Sequence, residues 1–176
     1  MAGIFTNIEF INVKKTYYHH LAQHILLVQD YDQIMKKLYG LNTNIPSASC
    51  WKVILRPKQS FKNILIEIED VKKSIKELEE KVNKWESEAT EIYFDTNFPP
   101  KLDQPEMKVN YMNQQIYLID RINQLKRNMQ TLYTSINILI GDVQTRKDNA
   151  INARRYYVGI MIAIILFLVG TITQFI

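Results

Sequence analysis

Residues 111–143 read YMNQQIYLIDRINQLKRNMQTLYTSINILIGDV, which sets Tyr111, Gln115, Leu118, Ile122, Leu125, Met129, Leu132, Ile136, Leu139 and Val143 at alternating steps of four and three. A helix turns once every ~3.6 residues, so these positions fall on one stripe, the heptad pattern of helices that pair along a seam. Pro105 suits the first turn of such a helix, and Gly141 costs about 1 kcal/mol relative to Ala without ending it. The spacing runs on through Ala150 and Ala153 to Tyr157 and Ile160. The pattern therefore predicts one helix from about residue 107 into the last segment of the chain.

That last segment, residues 156–176, reads YYVGIMIAIILFLVGTITQFI and has no charged side chain. About 20 residues at 1.5 Å each span ~30 Å, the thickness of a bilayer's hydrocarbon, which predicts a transmembrane helix. Arg146, Lys147, Arg154 and Arg155 stand just before it, and every Lys, Arg, Asp and Glu lies upstream of Tyr156. By the positive-inside rule the N-terminal body belongs on the cytoplasmic side, or on the matrix or cytosolic face of an organelle. A bacterial inner membrane and an organelle membrane are equally compatible with this. Tyr156 and Tyr157 suit the aromatic belt at the interface. Residues 1–15 lack the apolar core of a signal peptide and the first Arg is Arg56, so the expectation is a tail-anchored, single-pass protein whose first partner is the lipid bilayer. Gly159 and Ala163 form a small-xxx-small spacing that permits close helix contact.

A second heptad precedes the first: Phe61, Ile64, Ile68, Val71, Ile75, Leu78, Val82 and Trp85, with Ser60 as the expected N-cap. Residues 63–69 also alternate as a strand would, which allows a helix start as late as Asp70. Glu77 to Lys81 and Glu80 to Lys84 stand in the favourable i to i+4 order. Pro99, Pro100 and Pro105 forbid a continuous helix between the two heptads. Residues 60–92 carry a net −3 and residues 106–155 a net +4, and opposite signs favour pairing. The expectation is a mostly α fold: a long antiparallel, coiled-coil-like hairpin over 58–155 and a transmembrane helix over 156–176, continuous with the second hairpin helix. A small unit over 1–57 completes it. That unit has an amphipathic helix from Lys14 to Tyr39, apolar at Tyr17, Leu21, Val28, Tyr31, Met35 and Leu38. Gly40 is expected to end this helix, with Asn42–Ser49 as a loop. Ile4–Val13 and Trp51–Arg56 are rich in branched residues and are expected to form short strands.

The composition narrows the chemistry. With 47% hydrophobic and 23% charged residues the body should fold, and a formal charge of +4 is too small and too dispersed for nucleic acid. Cys50 is alone, so neither an intramolecular disulfide nor a four-thiolate metal site can be built; a buried, apolar role is expected for it. His20 and His24 have the i, i+4 spacing of a metal pair, but HLAQH lacks the glutamate of a zinc hydrolase and no third ligand is evident beyond Asp30 or Asp32. Solvated or hydrogen-bonded surface histidines are expected instead, with no metal. All three histidines precede every arginine, which excludes a ribonuclease that pairs an Arg with a downstream His. The five glycines are scattered, and no Gly-x-Ser-x-Gly elbow occurs. Glu79 and Glu80 sit together on a solvated face and are no carboxylate pair across a cleft. No catalytic residue, cofactor or small-molecule substrate is expected.

A heptad, a basic juncture and a C-terminal apolar helix together resemble a vesicle-fusion SNARE, with Gln115 at the central polar layer. The resemblance covers residues 111–176 only. Pro105 stops the helix where a SNARE helix would continue for several turns, and Lys126 would fall in a core layer, so membership is not adopted. The sequence leads instead to a structural or accessory subunit, or adaptor, of a membrane protein assembly. Its expected partners are other protein subunits or further copies of itself. The seam for such pairing is Ile68, Val71, Ile75, Leu78, Val82 and Trp85 with Leu118, Ile122, Leu125, Met129, Leu132, Ile136 and Leu139. The alternative is an oligomeric, pore-forming effector that packs its membrane helices through Gly159 and Ala163.

Overall fold

A computed structural model describes residues 2–94 and 105–174, with side chains described over 14–90 and 112–171. The chain runs α1 (Ala2–Thr43), α2 (Trp51–Leu55), α3 (Pro57–Ser60), α4 (Lys62–Phe94) and α5 (Pro105–Gln174). The Pro-rich linker falls outside the described residues. Among the described residues there is no strand, which corrects two expectations. Ile4–Val13 is part of α1, where extending a helix already nucleated costs less than starting another element. Trp51–Leu55 is α2: Cys50 C=O accepts from Val53 N at 2.9 Å and Ile54 N at 3.0 Å, closing a helical turn. Val53 and Ile54 are both buried, and neighbouring residues can share a helix face but point to opposite faces of a strand.

Two other boundaries also differ, and the late helix start allowed at Asp70 does not occur. The alternating stretch 63–69 is helical from Lys62 onward, because its Phe61, Ile64 and Ile68 continue the buried 3-4 spacing of α4. Gly40 has no left-handed φ and does not end α1; Thr43 Oγ1 donates to Gly40 O at 2.9 Å and Asn44 N to Leu41 O at 3.1 Å, so the last turn closes three residues later. Ser60 does not cap α4 but ends α3, its hydroxyl bonding back to Arg56 O at 3.0 Å.

The chain forms two compact units. The first holds residues 1–37 and 71–134. Its α4 buries Val71, Ile75, Leu78, Val82, Trp85 and Ala89, and its α5 buries Leu118, Ile122, Leu125, Met129 and Leu132. Lys126 Nζ lies 2.6 Å from Glu86 Oε1, and Tyr133 Oη donates to Glu79 Oε2. As α4 ascends from 79 to 86, its α5 partner descends from 133 to 126. On the other side of α4, Lys81 Nζ reaches Asp30 Oδ2 of α1 at 2.7 Å. Glu77 pairs with Lys73 and Lys84 with Glu88, in place of the expected Glu77–Lys81 and Glu80–Lys84 pairs. Asp30 of α1 takes Lys81, while Glu77 and Lys84 choose the other i, i+4 neighbour, a small difference because exposed i, i+4 pairs are worth only ~0.3–0.5 kcal/mol.

The second unit holds residues 38–70 and 135–176. Its core is Leu38, Leu41, Ile45, Val53, Ile54 and Phe61 with Ile64, Ile68, Ile136, Leu139, Val143 and Ala150. Arg146 ties the 44–50 loop to α5, donating from Nη1 to Ile45 O at 3.5 Å while Nη2 pairs with Asp142 at 3.0 Å.

Candidate functional site: a helical seam and an apolar segment

The α5 seam is periodic down to Ala150 and then stops. Leu118, Leu132, Val143 and Ala150 are 0% exposed, whereas from Arg154 to Gly170 every residue is exposed. An 18-residue window in this helix has a mean hydropathy of 1.7 with none of it buried, so α5 is long and apolar enough to cross a membrane. The backbone does not change between the two stretches. Only the periodicity does: upstream the apolar residues return every three or four positions, downstream they surround the helix.

Each seam position named from sequence is buried, from Ile68 at 1% and Trp85 at 2% on α4 to Leu125 at 1% and Leu139 at 5% on α5. Arg154, Arg155, Tyr156, Tyr157, Gly159 and Ala163 are exposed. A side chain built at Gly159 would meet nothing within 4 Å. No family model, curated protein or solved structure matches this chain. The functional reading accordingly rests on these two surfaces.

The structure brings together a third group that the sequence pattern missed. In the first unit, α1 buries His20, Leu27 and Ile34, one residue back from the expected Leu21, Val28 and Met35, which are only half-buried. His20 is 1% exposed and hydrogen-bonded to Gln23, and His24 is half-buried, so the solvated alternative fails at both and His20 lies below the surface. The His24 and Trp85 rings lie 5.9 Å apart. Tyr17 meets Tyr117 edge-on at 6.5 Å, and the Arg121 guanidinium stands 4.5 Å over the Tyr117 ring. Burial pushes both imidazoles below their ordinary pKa, with the neighbouring His19 adding to the effect on His20 and Arg121 to that on His24. Gln23, through a hydrogen bond, and the more distant Glu88 oppose it at His20. Burial likewise raises the Tyr17 phenol. The Tyr133 phenol is pushed up to about 12, first because it donates to the Glu79 carboxylate. Two aromatic heterocycles inside an apolar seam can therefore act as neutral packing groups at neutral pH and lose that role on protonation.

Among the described residues no group of three His, Cys, Asp or Glu side chains is placed to hold a metal ion. Cys50 is exposed, which corrects the buried role expected for it; it occupies the N-cap of α2, where its backbone carbonyl rather than its thiol is used.

Proposed function

We propose that this chain is a non-enzymatic, single-pass membrane protein, held by residues 156–176 and serving as a structural or accessory subunit, or adaptor, of a membrane protein assembly. α4 and α5 form an antiparallel, coiled-coil-like hairpin on the cytoplasmic (or matrix or cytosolic) side. The observation that carries this reading is the change of surface along α5, from a seam whose buried residues recur mostly at three- and four-residue steps to an unbroken apolar sleeve. A seam of that kind supplies specificity, and a sleeve of that kind demands lipid. The exposed stripe Met112, Ile116 and Ile119, at 57%, 62% and 41%, offers apolar material for a protein partner.

The test replaces residues 158–170 with a Leu-rich segment of equal length in the full chain. Membrane retention and partner recovery from native membranes should survive, because lipid-facing side chains add no specificity through their order. Polar substitutions at Leu118, Leu125 and Leu132 should abolish recovery. The pore-forming alternative draws support from the open face at Gly159 and requires the reverse dependence: dye release from liposomes by the purified chain, abolished by Gly159→Leu. Leakage of that kind would overturn the assembly reading.

A further inference from the structure

At the foot of the apolar segment, within the second unit, a depression of about 540 Å³ is lined by Leu55, Arg56, Pro57, Lys58, Gln59, Lys62 and Arg154. Four cations from two parts of the chain, residues 56–62 and Arg154, converge there with no acid among the lining residues. Self-repulsion among four exposed cations opposes the fold unless something anionic is nearby. Beside them α2 presents a second unusual feature. Its Val53 and Ile54 are buried, yet Trp51 and Leu55 stand 57% and 50% exposed. Trp51 packs edge-on against Tyr157 at 5.6 Å, at the second residue of the apolar segment. Trp and Tyr prefer the headgroup level of a bilayer, because one part of each ring system is apolar and the other can hydrogen-bond.

We infer that Arg56, Lys58, Lys62 and Arg154 bind the phosphate-bearing headgroup of an anionic membrane lipid, while Trp51 and Leu55 enter the boundary between headgroups and acyl chains. The inference rests on the membrane reading of α5, since continuity with that segment is what selects a lipid as the source of the phosphate. Arginine supplies a planar fork that grips two phosphate oxygens, and the lysines supply mobile point charges. Juxtamembrane cations are attracted to anionic leaflets, and four of them around one depression favour an anionic lipid over a neutral one.

The experiment reconstitutes the full chain in phosphatidylcholine vesicles that contain a minor fraction of phosphatidylglycerol. Either the phosphatidylglycerol or an equal mole fraction of the phosphatidylcholine is brominated on its acyl chains, and tryptophan quenching is read. Trp85 is 2% exposed and contributes a constant background, so the change reports Trp51. Brominated phosphatidylglycerol should quench severalfold more than brominated phosphatidylcholine in the wild type. The two should quench equally when Arg56, Lys58, Lys62 and Arg154 are all replaced by Gln, while Lys58→Arg with Lys62→Arg keeps the preference. All of these positions are exposed, so an unchanged far-ultraviolet dichroism is expected for both variants. Equal quenching in the wild type, with the chain retained on purely neutral vesicles after an alkaline wash, overturns the lipid site alone. Loss from neutral vesicles under that wash overturns the anchor, and the site with it. Abolition of the preference by inorganic phosphate, but not by chloride of equal ionic strength, assigns the cluster to a free anion and overturns the lipid assignment.

Discussion

Residues 118–150 and 156–170 of α5 are one helix with two surfaces. In the first stretch a buried residue returns at most three- or four-residue steps, and the positions between are exposed or half-buried; in the second, Val158, Ile162, Leu166 and Phe167 are as exposed as their neighbours. Average apolarity would rank the second stretch as the better core. Burial follows the first because a core needs a partner face, and only periodic apolarity defines one. A helix that is apolar all round finds a face nowhere and fits a solvent that is apolar all round.

The contrast can be broken most severely by placing a charge in each stretch. Ile164→Arg should cost about 2.5–3.5 kcal/mol of insertion at the bilayer centre, seen as loss of alkali-resistant membrane retention, while the thermal transition of the detergent-solubilised body stays where it was. Leu132→Asp should unfold the body outright, since an unpaired carboxylate would replace a side chain that is 0% exposed. Milder truncation sharpens the same contrast. Leu132→Ala should lower the unfolding free energy by about 2–5 kcal/mol, whereas Ile164→Ala, with no protein neighbour to lose, should leave it within error in chemical denaturation of the micellar protein.

A third outcome concerns pH. His20 and His24 have folded-state pKa values below the ordinary 6.5, so the unfolded chain binds protons more readily than the folded one as pH falls. Their contribution to stability is whole above pH 6.5 and is lost as pH drops through the lowered folded values. The melting temperature should therefore decline below that point, and His20→Phe combined with His24→Phe should flatten the decline. A decline of equal steepness in the double variant would assign the acid sensitivity to carboxylates. The smallest effect is expected at the α1–α4 ion pair: Lys81 and Asp30 are 60% and 37% exposed at their side chains, so Lys81→Ala should cost only about 0.2–1 kcal/mol, less at high salt.

The two heptads were legible because Leu, Ile, Val and Trp occupy nearly every seam position, and a 4-3 rhythm of such residues fits a paired helix and little else. The α1 seam was legible only at Leu38, which is buried as expected. Its true series begins at His20 and continues through Leu27 and Ile34, while the adjacent series Leu21, Val28 and Met35 is apolar without exception, so counting apolar residues turns the helix by one position. Nothing in the sequence marks His20 or His24 as sheltered; the partner that faces His24, Trp85, stands on a helix some sixty residues away. The short α2 was hidden for a related reason. Trp51–Leu55 has strand-like composition, but the Cys50 N to Ser47 O bond at 3.1 Å turns the chain immediately before it and commits the next residues to a helical turn. The cation cluster at the foot of the apolar segment was half legible: Arg154 was evident beside that segment, but Arg56, Lys58 and Lys62 lie about ninety residues away in sequence.

Within the second unit α5 passes from the buried Ile136–Ala150 stretch to the apolar sleeve with no proline, no left-handed residue and no change of secondary structure. A helix without a joint is a shaft, and a shaft carries angle as well as position. Each residue added or removed between Ala150 and Tyr156 turns everything beyond it by about 100° about the helix axis, so one residue swings Tyr157 away from the bearing at which it meets Trp51, whereas seven return it to within about 20°. Length in this short stretch is therefore a rotary setting: a single residue moves what lies beyond it by only about 1.5 Å along the axis but turns its compass direction by more than a quarter of a circle.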